Sequence, residues 1–183
     1  MLMNVGLLVV RLLFGIGIAA HGAQKLFGSF GGYGLKGTGG FFESLGFRPG
    51  VPFAAAAGLS EFGGGILLVL GLFTPVGAAA VMSTMLVAMI TVHIKNGFWG
   101  ANNGIEMPFL YAAAALGLGL IGPGAYSLDA LFGLTIFSRY IIIIGLLALS
   151  VLGAIATLAV RRKASAQQAT RSSEVMEARH DAS

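Results

Sequence analysis

Apolar residues run through this chain in five long blocks, at roughly 4–23, 52–72, 75–94, 105–122 and 140–160. None shows the polar interruptions at helical spacing that a soluble amphipathic helix carries. About 20 apolar residues in a helix match the ~30 Å hydrocarbon thickness of a bilayer. The pattern therefore predicts an all-α, polytopic transmembrane bundle. Boundaries between blocks are readable. The first block gives way after Phe27 to a glycine-rich stretch from Gly28 to Gly40. Phe41, Phe42, Leu45 and Phe47 are then spaced for a short interfacial helix, with Thr38 as its candidate cap. Pro52 suits the first turn of the second span, where its missing N–H is harmless. Gly71 to Pro75 is short enough only for a tight hairpin, and Asn96 to Asn103 separates spans three and four with Trp99 as an interface anchor. The 105–122 block is the shortest and ends at Gly122-Pro123-Gly124, after which Ser127 can cap a turn containing Asp129. The fifth block carries no charge.

The expected organisation is a four-helix membrane domain over 1–135, including the glycine-rich interfacial loop 28–51. A fifth transmembrane helix over 136–160 and a polar cytoplasmic tail over 161–183, expected to be disordered, complete it. Met1 to Ala20 is read as a retained first helix, because Arg11 splits its apolar run and His21-Gly22-Ala23 makes a poor cleavage site.

Composition narrows the function. Charged residues are 10% of the 183 and hydrophobic ones 56%, which leaves no room for a separate soluble domain. The net charge of +4 is no nucleic-acid footprint, since its densest part, Arg161-Arg162-Lys163, abuts the last span as an anchor. Without cysteine there is no thiolate nucleophile, disulfide relay or cysteine-ligated cluster. The glycines carry no Walker pattern; pairs such as Gly15 with Ala19 and Ala54 with Gly58 read as close helix contacts.

Polar residues inside the spans are the candidate chemistry. A charge in mid-membrane is costly, so it pairs inside the bundle and often serves function. At 1.5 Å per residue, Arg11 stands ~15 Å above His21 and Glu61 ~13 Å above Pro52, which predicts an intramembrane Arg11–Glu61 ion pair. His21, Lys25, Glu61, His93 and Glu106 form the candidate ligand-binding or proton-relay column. The bland alternatives are a register-fixing ion pair for Arg11 and Glu61, snorkelling for Lys25 and Lys95, and satisfied helix-end histidines. Paired His21–His93 ligation of haem is disfavoured because no b-haem spacing supports it, and no metal site is expected.

Three segments in order carry a resemblance. The first reads Arg11-Leu-Leu-Phe-Gly and His21-Gly-Ala-Gln-Lys25-Leu-Phe-Gly. The second runs Gly58-Leu-Ser-Glu61-Phe-Gly-Gly-Gly to Phe73-Thr74-Pro75, and the third reads Gly122-Pro-Gly-Ala-Tyr-Ser-Leu-Asp129. Together, over residues 5 to about 133, they resemble the DoxX family of small bacterial membrane proteins. The resemblance implies a four-helix membrane bundle, to which this chain adds a fifth span. It also implies a redox association, through the DoxD subunits of an archaeal thiosulfate:quinone oxidoreductase. A mycobacterial member is similarly linked to superoxide dismutase and a sulfurtransferase.

Two functions are then expected to compete. One is a redox-associated membrane subunit binding a quinone or a small sulfur or oxyanion ligand in the polar column. The other is a non-catalytic scaffold or assembly factor recruiting partner proteins. No self-contained catalytic motif is present, so any enzyme role is that of an oxidoreductase subunit. Quinone is the admissible cofactor; the bilayer, redox proteins or further copies of the chain are the expected partners, and nucleic acid is not. A transporter is disfavoured, because no inverted repeat is visible.

Loop charge sets the expected orientation in the bacterial inner membrane. With five spans, Lys25, Lys36, Arg48, Lys95 and the cluster at 161–163 share one side, and Arg139 alone lies opposite. The positive-inside rule places that basic side, and the C-terminus, in the cytoplasm and the N-terminus outside. A C-terminal alkaline phosphatase fusion, active only after export, is thus expected to stay silent while a fluorescent protein fusion glows. Periplasmic phosphatase activity would invert the assignment.

Overall fold

The computed structural model of the chain describes residues 1–161. Helix α1 spans Leu2–Phe27, α2 Gly34–Ser44, α3 Gly50–Leu70, α4 Thr74–Ala88, α5 Glu106–Ile121, α6 Leu128–Leu131 and α7 Tyr140–Ala159. A π-helical turn, Met89–His93, and a 3-10 turn, Ile94–Asn96, carry α4 onward without a break in direction. Among the described residues there is no strand. Four helical stretches are long and apolar enough to cross a membrane: Leu2–Phe27, Gly50–Leu70, Thr74–Asn96 and Tyr140–Ala159. The polytopic all-α bundle with an added C-terminal helix is therefore the architecture. The expectation of a disordered tail falls almost wholly on residues 162–183, outside the described ones.

Helix α5 has 16 residues, about 24 Å of rise, yet it runs the whole way between the two ends of the bundle. Its start follows the loop beside His93, whose Nδ1 meets Asn103 O, and the chain just past its end touches Arg11. Five helices thus alternate direction, with the N-terminus at the Arg11 end. Helix α4 is central, packing against α3, α5 and α7. Ala78, Val81, Met82 and Met85 from α4 meet Ile18, Leu68, Ala115, Leu118 and Leu147 in one apolar core.

Helices α1 and α3 approach each other closely along several turns. A Cβ on Gly15 would lie 2.8 Å from Gly65 O, and one on Gly65 would lie 2.6 Å from Gly15 O and from Ala19 N. Backbone meets backbone there, as small residues permit. This contact fixes the register that the sequence could not: Arg11 comes level with Leu68, and Lys25 level with Glu61.

Arg11 consequently does not pair with Glu61. Its guanidinium, 1% exposed, donates from Nε to Leu68 O at 3.1 Å, from Nη1 to Pro123 O and from Nη2 to Tyr126 O at 2.8 Å. The depth estimate failed because it set Pro52 level with His21, whereas Gly22 packs against Gly58 and Phe62, placing Pro52 beyond the end of α1. Asp129, 4% exposed, lies across this node and accepts from Phe73 N at 2.9 Å, Thr74 N at 3.1 Å and Thr74 Oγ1 at 3.3 Å. It caps α4 while Arg11 caps α3, so two opposite charges clasp the α3–α4 hairpin and the post-α5 loop to α1. Gly71, in the left-handed region at φ 61°, turns the hairpin; a Cβ there would come within 2.6 Å of Arg11 Nη1. The Ser127 cap forms as read, its Oγ accepting from Ala130 N at 3.1 Å. Thr38 does not cap α2: it is buried inside that helix, which starts at Gly34.

Removing Arg11 takes the side-chain donor from Pro123 O and Tyr126 O, leaves Leu68 O with Gly71 N alone, and removes the charge that opposes Asp129. Hydrogen bonds to charged groups contribute about 1.5–3 kcal/mol each, so Arg11→Leu is expected to lose at least ~3 kcal/mol of stability in detergent. A double-mutant cycle should couple Arg11→Leu with Asp129→Asn, while Arg11→Leu and Glu61→Gln should add independently. Strong coupling between Arg11 and Glu61 would refute the register.

Candidate functional site

Helices α3 and α4 touch tightly near the hairpin and part lower down. A Cβ on Gly64 would lie 3.0 Å from Gly77 O, which closes the gap there. Below that contact the residues facing each other are larger or polar, and a cavity of about 370 Å³ opens between the helices. α3 contributes Phe53, Ala56, Ala57, Ser60 and Glu61 to its wall, and α4 contributes Ser83, Thr84, Val87 and Ala88. Thr91, Val92 and His93 of the π-helical turn, Phe41, Phe42 and Leu45 from α2 and its end, Lys25 of α1 and Thr157 of α7 complete it.

Glu61 is the deepest charge, 1% exposed, and Lys25 donates to its Oε2 from the last turn of α1. The Lys25 side chain is 28% exposed, so the pair is buried on one side and open to the cavity on the other. A lone carboxylate here would be severely destabilising; the ammonium satisfies it and leaves two N–H groups of its own free for other acceptors. Lys25 also sits at the C-terminal end of the α1 dipole, where a cation is favoured.

His93 reaches the cavity because of the π-helical turn, whose extra residue shifts the side chains that follow; such turns are frequent at functional sites. Its Nδ1 lies 2.8 Å from Asn103 O. A carbonyl only accepts, so Nδ1 carries a proton and donates it to Asn103 O.

Of the five residues of the expected column, three meet in this cavity: Lys25, Glu61 and His93. Two do not line it. The ring of His21 packs at 5.9 Å against Tyr111 on α5, and Glu106 accepts from Gly100 N at 2.6 Å, binding the loop before α5. Sequence spacing could not separate them, because it gives height along a helix but not which neighbour each face meets. Glu43 is likewise committed, accepting from Gly50 N at 3.0 Å at the start of α3. Ser60, Ser83, Thr84 and Thr157 were not singled out from sequence. Only their position on the apolar blocks, as isolated hydroxyls, could have flagged them.

The outer wall is uneven. α2 packs on α3 and α1, whereas α7 packs on α4 and α5. The two edges of the cavity therefore belong to separate groups of helices, and the bond from Arg161 Nε to Leu45 O, 2.6 Å, bridges them at one end.

Comparison with known proteins agrees with this architecture. The DoxX family model matches residues 6–94, which run from α1 through the π-helical turn and include every cavity residue except Thr157. A Bacillus subtilis protein described as "Putative oxidoreductase CatD" is 31% identical over 126 residues, 69% of this chain and 86% of that relative. An uncharacterized protein of Haemophilus influenzae is 37% identical over 86 residues, 45% of this chain and 64% of its own length. No solved structure matches. With a relative of that identity aligned along most of its length, and the family's own model laid over the helices that build the cavity, this chain belongs to the DoxX family of membrane proteins.

Proposed function

We propose that the chain is a redox-associated subunit of the bacterial inner membrane that binds a quinone in the cavity between α3 and α4. The observation that carries this reading is the cavity's division into two chemistries. Phe41, Phe42 and Phe53 supply flat apolar surface, and the Lys25–Glu61 pair supplies a polar end. Pockets of this kind, apolar with a few convergent polar groups, are the usual sites of small ligands. The similarity to a relative described as an oxidoreductase supports a redox setting.

A small sulfur species or oxyanion is the second ligand class. It is less well served, because Lys25 is already neutralised by Glu61, and an anion would meet a pair with no net charge. A neutral carbonyl suits that pair better. Lys25 would donate to a ring oxygen, and Glu61, held beside it, would relay a proton that accompanies the electrons exchanged between the quinone and a redox partner protein. The separated edges at α2 and α7 favour a membrane-soluble ligand, since they offer a way in from the side of the bundle. The basic end of the bundle, with Lys36, Arg48, Lys95 and Arg161, faces the cytoplasm in this reading.

Lipid extracts of the purified protein should contain quinone. Adding a short-chain quinone at a hundred times its Kd should stabilise the protein by about 2.7 kcal/mol, read as a rise in melting temperature. Replacing both charges, Lys25→Met with Glu61→Gln, avoids stranding either one and should abolish that rise while the bundle stays folded. Wild-type protein with no bound quinone and no shift would leave the scaffold reading, in which the loops and tail recruit partners, in its place.

A further inference from the structure

The polar groups of the cavity fall into two sets when each is followed to its partner. Three hydroxyls are spent within their own helices: Thr84 Oγ1 donates to Ala80 O at 3.2 Å, Thr91 Oγ1 to Val87 O at 2.8 Å and Thr157 Oγ1 to Gly153 O at 2.8 Å. Ser60 and Ser83 line the same cavity, and neither hydroxyl has a partner among the described residues. No buried side-chain oxygen or nitrogen is left unsatisfied in the described structure, so these two hydroxyls open into the cavity space. In a membrane interior an unpaired hydroxyl is costly, and a serine on a helix normally relieves it by bonding a carbonyl one turn back. Neither does so.

Their placement is also specific. Counting from the Gly64–Gly77 contact that closes the cavity, Ser60 lies about 6 Å down α3 and Ser83 about 9 Å down α4. Both line the cavity near its closed end, and Ser60 is next in sequence to Glu61. Ser83 also borders α7, where a Cβ on Gly153 would lie 3.4 Å from its Oγ. His93 is a further ten residues along, about 15 Å toward the mouth. The donors without acceptors, namely two hydroxyls and the remaining N–H groups of Lys25, thus gather at the inner end. His93, bonded through Nδ1 to Asn103 O, stands at the other.

We propose that Ser60 and Ser83 are specificity-determining residues that, with Lys25, bind the acceptor oxygens of the ligand's head at the closed end of the cavity. The inference rests on the quinone reading above and names the groups that would select for it: two neutral hydroxyls and a neutralised ammonium favour a carbonyl over a charged anion. The ligand's apolar body would then lie along Phe41, Phe42 and Phe53, toward the edge between α2 and α7.

Binding of decylubiquinone to the full chain in lipid nanodiscs, measured by calorimetry, tests this. Ser60→Ala and Ser83→Ala are each expected to weaken binding about fivefold, the effect of one neutral hydrogen bond, with the melting temperature of the ligand-free protein unchanged. Thr84→Val and Thr157→Val remove hydroxyls that already have partners, so they should leave affinity within about twofold of wild type. Serine variants that bind as tightly as wild type would overturn the assignment while leaving the quinone site standing. Equal losses in the threonine variants would overturn it too, by showing a general effect of cavity polarity. Wild-type protein that does not bind decylubiquinone would overturn both readings together.

Discussion

A guanidinium in a bilayer has no water to donate to, and the fold is organised around meeting that need at Arg11. Its N–H groups reach carbonyls at the end of α3 and in the loop after α5, and Asp129 caps α4 from the far side. These groups lie at or just beyond helix ends, where backbone donors and acceptors are short of intrahelical partners. One buried cation and one buried anion therefore finish α3 and α4 and tether the post-α5 loop. The hairpin between α3 and α4 is held there, at the end of the bundle opposite the cavity mouth.

Clamped at that end, the hairpin is free to spread at the other. Glycines decide where the change occurs. Gly64 and Gly77 bring α3 and α4 together, and Gly15 and Gly65 bring α1 onto α3. Beyond them Ser60, Glu61, Ser83 and Thr84 face a space instead of another backbone. The α1–α3 contact also delivers Lys25 to Glu61, so the same close packing that fixes register provides the counterion for the deepest carboxylate. Stability and the candidate site are linked through one helix pair.

The family match ends at residue 94, one residue past the π-helical turn, and the cavity is almost wholly built by then. α7 lies beyond it. It packs on α4 and α5, adds Thr157 to the wall and reaches Leu45 through Arg161. Its role is to flank a cavity whose polar groups all come from earlier helices, apart from that threonine.

Span positions were legible in the sequence because hydrocarbon imposes a length and a composition that any apolar block must meet. The hairpin at Gly71–Pro75 and the Ser127 cap were legible because turn and cap chemistry is local. Lys25, Glu61 and His93 stood out as polar intruders in apolar surroundings. What the sequence left open was which intruder meets which. Arg11 was paired with Glu61 on height alone, and height depends on where two helices start relative to each other. Only the contact of Gly15 with Gly65 and of Gly22 with Gly58 and Phe62 sets that, and it puts Leu68 opposite Arg11. His21 and Glu106 were separated from the cavity by the same kind of decision, the rotation of a helix about its own axis. The sequence determined the span positions and the polar residues within them. Tertiary packing decided their partners, because pairing in a bundle is settled by register and rotation, which small residues on neighbouring helices fix jointly.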